Sequence, residues 1–161
     1  MAAAAQAFLV VVFVAAGVAK LAGRASFLRT VGSLRWLSPR GARVASILVP
    51  VAELATAALL VLSPTVGALA ALGLVAVFTG VVVGEMVAGR KAPCGCFGEV
   101  STAPVGPATL IRNLLLAAAA VVLYSQPYAS NLGATFAGAG AAVLLILLEA
   151  GRGILARGRA T

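Results

Sequence analysis

Long stretches of apolar residues decide what this chain can fold into. A helix needs about 20 such residues to cross the hydrocarbon core of a bilayer, and five stretches of the 161 residues reach or approach that length. They are residues 3–22, 43–62, 66–88, 107–124 and 131–149. We therefore predict an all-α, polytopic transmembrane helix bundle, with a four-helix core and a fifth C-terminal helix, in a single integral membrane domain over residues 1–161.

Composition excludes the main alternative classes. Hydrophobic residues make up 62% of the chain and charged residues only 10%, whereas soluble domains carry about 25% charged residues and disordered chains have low hydrophobicity. The chain has no His and two Cys, so no metal site is expected within one copy, although two copies together would supply four thiolates. The net charge of +8 does not predict nucleic-acid binding, because the basic residues do not form one patch.

The basic residues predict the orientation in the membrane. They fall around the first connection, around the third connection and in the tail: Lys20, Arg24, Arg29, Arg35, Arg40 and Arg43; Arg90, Lys91 and Arg112; Arg152, Arg157 and Arg159. Since Lys and Arg mark the cytoplasmic side, we predict five spans in a bacterial inner (plasma) membrane, with the N-terminus outside and the C-terminus in the cytoplasm. The first span lacks the basic start of a secretory signal and is expected to be retained.

Residues 24–37 are expected to form a short helix in the cytoplasmic membrane interface. Five apolar residues recur there at helical spacing between arginines, Pro39 stops the pattern, and Trp36 would be the anchor. Anionic lipid headgroups would attract the arginines. The alternative is an irregular basic loop.

Gly80 and Gly84 form a G-x-x-x-G pair inside the third span. Small residues at this spacing let helices pack closely in lipid. Packing within one chain is the preferred interpretation, and a homodimer is the alternative.

The segment between spans three and four, residues 89–106, holds both cysteines, Cys94 and Cys96. A disulfide between them requires a tight turn, for which Gly95 and Gly98 supply backbone freedom. Such a small ring would be strained and labile, which suits thiol–disulfide exchange. The neighbouring cations (Arg90 and Lys91) and the start of span four favour the thiolate form. The segment therefore predicts a redox-active dithiol, with two inert cysteines as the alternative.

A second candidate site consists of charges inside the membrane. Glu53 lies near the middle of span two, where an acid is costly and usually faces a partner or a cavity. Lys20 and Arg112 are the candidate partners, and Asn113 adds a polar group. If the helices pack together, these four side chains would line one polar pocket below the Cys segment; the alternative is an ion pair that only fixes packing. Two further acids at span ends, Glu85 and Glu149, are interpreted as ordinary interfacial residues.

Four motifs give the chain a resemblance to a known family. They are G-V-A-K-L at 17–21 with Phe27 following, P-V-A-E-L at 50–54, P-C-G-C-F-G at 93–98 and R-N-L-L-L at 112–116. Over most of residues 8–123 the chain resembles the MauE/DoxX-like family of small redox-associated membrane proteins, and the C-G-C-F-G motif, which includes Phe97, is specific to the MauE branch. The resemblance implies a helical bundle with a redox-active Cys pair. MauE proteins support maturation of the methylamine dehydrogenase small subunit, a disulfide-rich protein outside the cytoplasm.

The resemblance and the charge pattern disagree about the side of the membrane. An exported client implies an outward-facing Cys pair, whereas the basic residues place Cys94 and Cys96 on the cytoplasmic side, which we favour. The expected partners are the lipid bilayer and a thioredoxin-like protein or a disulfide-containing client, and a quinone is a candidate electron acceptor. Two other functions stay open: a membrane scaffold without turnover for a thioredoxin-like partner, and a small transporter that uses Glu53 and Arg112.

Overall fold

Every regular element of the described residues is an α-helix. The computed structural model describes residues 1–34, 37–89, 106–126 and 132–158. The helices in chain order are α1 (Ala2–Ala22), α2 (Arg24–Gly32), α3 (Pro39–Leu62), α4 (Pro64–Val87), α5 (Pro107–Ser125) and α6 (Leu132–Gly158). The predicted all-α fold class is confirmed.

Four of these helices, α1, α3, α4 and α5, are long and apolar enough to cross a membrane. The chain is therefore a multi-pass membrane protein. Helix α6 has 27 residues, but its apolar part, Gly133–Leu148, is shorter than the four spans. A fifth crossing of the membrane stays a prediction.

The four spans form a closed ring in which each helix packs against the next. Helix α1 packs against α3, α3 against α4, α4 against α5, and α5 against α1. Leu9, Leu60, Ala71 and Ala120 are among the fully buried side chains that fill its centre. Helix α6 packs along the outside of α1, and α2 packs on α3.

Proline marks the first turn of three spans. Pro39, Pro64 and Pro107 each stand at the start of their helix, where the missing N–H is not needed and the fixed φ suits the helix. At α3 the hydroxyl of Ser38 also accepts a hydrogen bond from the Gly41 amide at 3.1 Å. Helices α3 and α4 begin a few residues before the predicted spans at 43 and 66, because their first turns include polar residues; the span limits stay a prediction.

Helix α2 lies against the first turns of α3. Phe27 and Val31 are buried in one cluster with Ala42 of α3, so the apolar face of α2 is covered by protein. The helix ends at Gly32, earlier than the expected 37. Arg35 and Trp36 lie outside the described residues, and an anchoring role of Trp36 stays a prediction.

Glycine permits close helix contact at positions other than the G-x-x-x-G pair. A Cβ at Gly67 of α4 would collide with the backbone of Leu60 in α3, and one at Gly138 of α6 would collide with the backbone of Ala4. Gly80 and Gly84 are exposed, and no atom of the described residues lies within 4 Å of a Cβ placed there. Among the described residues, then, this pair makes no close helix contact, and packing within the chain and dimerisation through the pair both stay predictions.

We predict that Gly67→Ala destabilises the protein and that Gly73→Ala does not. The methyl group at Gly67 forces α3 and α4 apart and lowers the free energy of unfolding by about 1–3 kcal/mol. Gly73 is the matched control, because it lies on the same helix with open space around it. Denaturation of both variants in detergent micelles tests this, and equal stability of the two would contradict it.

Candidate functional site: a buried polar cluster

A buried ion pair joins α1 to α3. Lys20 Nζ lies 2.7 Å from Oε1 and 2.9 Å from Oε2 of Glu53. Each side chain is only 2% exposed, so neither charge is solvated by water and each relies on protein groups. Removing one partner from a buried ion pair costs far more free energy than removing one partner from a surface pair, because the remaining charge is left without water. The pair therefore fixes the rotation and the depth of α1 relative to α3.

Aromatic rings and a glycine complete the surroundings of Lys20. Its ammonium group lies 5.7 Å from the ring centre of Phe27 in α2 and 5.8 Å from that of Phe78 in α4, within the range of cation–π attraction. One turn earlier in α1, Gly17 lies close to α3. A Cβ at this position would lie 2.9 Å from Cγ of Leu54 and 3.2 Å from the carbonyl oxygen of Pro50, so a larger residue would require a neighbour to move. Lys20 thus contacts three other helices.

A second set of polar groups connects α5 to α4. Arg112 Nη2 donates to Oδ1 of Asn113 at 3.2 Å, and Asn113 Nδ2 donates to the Thr79 hydroxyl at 3.1 Å. Thr79 in turn donates to the carbonyl of Val75 at 2.7 Å. Arg112 and Asn113 are 4% and 2% exposed. The Asn113–Thr79 bond holds the first half of α5 against α4.

The two sets meet at a small cavity between the spans. Glu53, Arg112 and Asn113 line it together with apolar residues of α1, α4 and α5, including Phe13 and Phe78. It leaves about 20 Å³ for the centre of a water molecule, which is room for about one water. The structure thus places Lys20 against Glu53, and it places Glu53, Arg112 and Asn113 on one cavity. We call these four residues the polar cluster, and a functional role for it stays a prediction.

Glu85 is a buried acid and not an interfacial one. Its side chain is 2% exposed, so the expectation of an ordinary interfacial residue was wrong. Thr109 of α5, at 3% exposure, is also buried. Both belong to the turns of α4 and α5 that adjoin segment 90–105. The side chain of Glu149 lies outside the described residues.

The buried polar groups are concentrated in one half of the bundle. In the antiparallel ring, the end of α1, the start of α3, the end of α4 and the start of α5 lie together. Lys20, Glu85, Thr109 and Arg112 all belong to this half. In the other half, Gln6 of α1 donates to the carbonyl of Leu60 at 2.6 Å among apolar core residues.

The predicted redox residues lie outside the described residues. These are Cys94 and Cys96 with their supporting neighbours Arg90, Lys91, Gly95, Phe97 and Gly98. Their position in the chain still limits where they are, because segment 90–105 has to connect Gly89 to Gly106. The segment therefore begins and ends at the polar half of the bundle.

Sequence reasoning missed Phe78, Thr79 and Thr109. Phe78 precedes Glu85 by seven residues, or about two turns, and Thr109 precedes Arg112 by three residues, which places each on the same helix face as a buried charge. Thr79 lies six residues before Glu85, on a different face, so spacing from that acid does not point to it. For Phe78 and Thr109, the signal available in the sequence was their helical spacing from a charged residue inside a span.

Comparisons with known proteins agree with the sequence motifs. The family model described as "Methylamine utilisation protein MauE" matches residues 1–126. The chain is 35% identical over 151 residues to the "Methylamine utilization protein MauE" of Paracoccus denitrificans, covering 89% of this chain and 81% of that protein. No solved structure matches.

We predict that losses of Lys20 and Glu53 are strongly coupled. Lys20→Met or Glu53→Met alone leaves a buried charge and lowers the free energy of unfolding by about 3 kcal/mol or more. The double variant removes both charges and is expected to lose much less than the sum. Denaturation in detergent gives the free energy of unfolding of the unchanged protein, the two single variants and the double variant, which together form a double-mutant cycle. Arg24→Met, at an exposed position, is the control. Additive losses would show that the two charges do not stabilise each other.

Proposed function

Because the chain belongs to the MauE family, we propose that it supports thiol–disulfide chemistry at the membrane through Cys94 and Cys96. The observation that carries this is the position of the Cys segment. It joins α4 to α5, and the adjoining turns of these helices hold the buried Glu85 and Arg112. The Cys segment thereby connects two helices that the Asn113–Thr79 bond links to each other.

The proposed reaction is an exchange between two dithiol–disulfide pairs. A thiolate of the client attacks one sulfur of the Cys94–Cys96 disulfide, and the other cysteine leaves as a thiolate and takes a proton. The second client thiol then attacks the mixed disulfide, which yields the oxidised client and the reduced C-x-C pair. A disulfide of a thioredoxin-like partner restores the pair by the same steps in reverse.

The buried cluster has a positioning role in this proposal. Asn113 holds the start of α5 against α4, the two helices from which the Cys segment extends, and the Lys20–Glu53 pair holds α1 and α3 beside them. The cavity beside Glu53 and Arg112 takes about one water, which suits proton transfer to and from the thiols. A quinone ring is much larger than this space, so we assign no quinone to the cluster.

The client and the orientation are part of the same proposal. The printed name of the Paracoccus relative concerns methylamine utilisation, which supports a role in that pathway. The exposed arginines of α2 and of the first turn of α3 support an inner-membrane protein whose Cys segment faces the cytoplasm, with the N-terminus outside and the C-terminus inside. In this orientation the thiol that exchanges with the Cys pair belongs to a cytoplasmic thiol carrier, and an exported client such as methylamine dehydrogenase reaches the pair directly only in the inverted topology.

A transporter is less well supported than a redox protein. Glu53 and Arg112 do line a cavity, but its volume suits water and not a metabolite. A scaffold that recruits a thioredoxin-like partner without turnover is the main competing function, and the cysteines distinguish the two.

We predict that Cys94→Ser/Cys96→Ser abolishes function and leaves membrane insertion intact. The variant is introduced into a strain that lacks its own family member, and the redox state of the client and the amount of membrane-inserted protein are measured. Ser33→Cys in the cysteine-free background serves as a control that restores a thiol but not the pair. Full activity of the double Ser variant would reject the redox role and favour the scaffold.

We also predict that the Cys segment is labelled from the cytoplasm. An impermeant maleimide is applied to intact and to permeabilised cells, with and without prior reduction. Single cysteines at Ser33 and Ser125, which lie at opposite ends of the bundle and are exposed, calibrate the two sides. The maleimide is expected to label Cys94 and Cys96 only after permeabilisation and reduction, and to label the cysteine of Ser33→Cys only after permeabilisation. Labelling together with Ser125→Cys in intact cells would invert the topology.

A further inference from the structure

The start of α3 carries an exposed stripe that changes from basic to apolar. Arg40 and Arg43 are exposed on the first two turns. The same face continues with four exposed apolar side chains: Val44 at 60%, Ile47 at 47%, Leu48 at 61% and Val51 at 50%. Positions 40, 43, 44, 47, 48 and 51 follow helical spacing, so they form one continuous strip.

We propose that this strip binds an anionic phospholipid. The guanidinium groups of Arg40 and Arg43, three residues apart, suit bidentate binding of a phosphate. The apolar residues below them suit an acyl chain over the next two turns. The order along the helix, charge first and apolar surface next, matches the order of headgroup and chain in a lipid.

The charge balance of this part of the chain favours an anionic ligand. Residues 1–52 contain no Asp or Glu, and the first acid after them, Glu53, binds Lys20 in the interior. The exposed arginines at the start of α3 therefore face no acidic side chain of their own region. An anion from the surrounding membrane is the complementary partner.

The helix start strengthens the same site. Arg40 and Arg43 lie in the first turns of α3, after the N-cap Ser38. The positive end of the helix dipole attracts anions there. This adds to the two guanidinium charges at the level where a headgroup would lie.

The arginines of α2 lack the second half of such a site. Arg24 and Arg29 are also exposed, but Phe27 and Val31 of α2 are buried against α3, and Leu28 packs in part against the same cluster. Helix α2 therefore offers no strip of exposed large apolar side chains like the one on α3. They supply a charge-matched control on the neighbouring element.

The test measures lipid binding to the detergent-purified full chain. Phosphatidylglycerol, phosphatidylcholine or inorganic phosphate is titrated, and binding is followed by thermal stabilisation and by native mass spectrometry. Arg40→Gln/Arg43→Gln is expected to weaken phosphatidylglycerol binding by about 30-fold, at roughly tenfold per 1.4 kcal/mol and ~1 kcal/mol per basic residue. Arg24→Gln/Arg29→Gln, which removes the same charge, is expected to bind nearly as the unchanged protein does.

A second variant tests the acyl-chain part and guards against misfolding. Val44→Ser/Leu48→Ser keeps both arginines and is expected to bind phosphatidylglycerol more weakly than the unchanged protein. If Arg40→Gln/Arg43→Gln and Arg24→Gln/Arg29→Gln lose equal affinity for phosphatidylglycerol, the effect is one of general surface charge, and the proposed site is overturned. Equal stabilisation by inorganic phosphate or by phosphatidylcholine would overturn it as well. Neither outcome bears on the cysteines, so the redox proposal is tested separately.

Discussion

The ion pair between Lys20 and Glu53 is the constraint on which the bundle depends. Two opposite charges, each 2% exposed, lie where neither water nor lipid can replace a lost partner. Their contact requires α1 and α3 to approach closely, which Gly17 permits. The same lysine lies near Phe27 and Phe78, so α2 and α4 are also placed relative to it.

Charge is balanced within the described interior. The buried charged side chains there are Lys20, Glu53, Glu85 and Arg112, two of each sign. Their common location divides the bundle into a mainly apolar half and a polar half, and the polar half adjoins the Cys segment. In the proposed function, this charge-balanced half of the bundle supports the end of α4 and the start of α5, which the Cys segment connects.

The sequence predicted the architecture well because a membrane leaves few choices. Apolar runs of sufficient length have to become helices, and an acid in mid-span such as Glu53 needs a partner, so Lys20 could be named in advance. The burial of a side chain near the end of a span is harder to predict from the sequence, because it depends on which helices and loops pack there. Glu85 was misread for this reason. Gly80 and Gly84 meet no described residue, because G-x-x-x-G spacing alone does not tell which neighbour a small residue faces.

The same ion pair has a consequence for biosynthesis. Glu53 follows Lys20 by 33 residues, so Lys20 is synthesised, and reaches the membrane, ahead of its partner charge. In the proposed orientation, Lys20 first acts at the cytoplasmic surface, where a flexible basic side chain can extend to water and hold α1 in place. When α3 inserts, Lys20 turns inward to Glu53. One side chain thus serves first as a topology signal and afterwards as a packing group, and the order of synthesis separates the two roles in time.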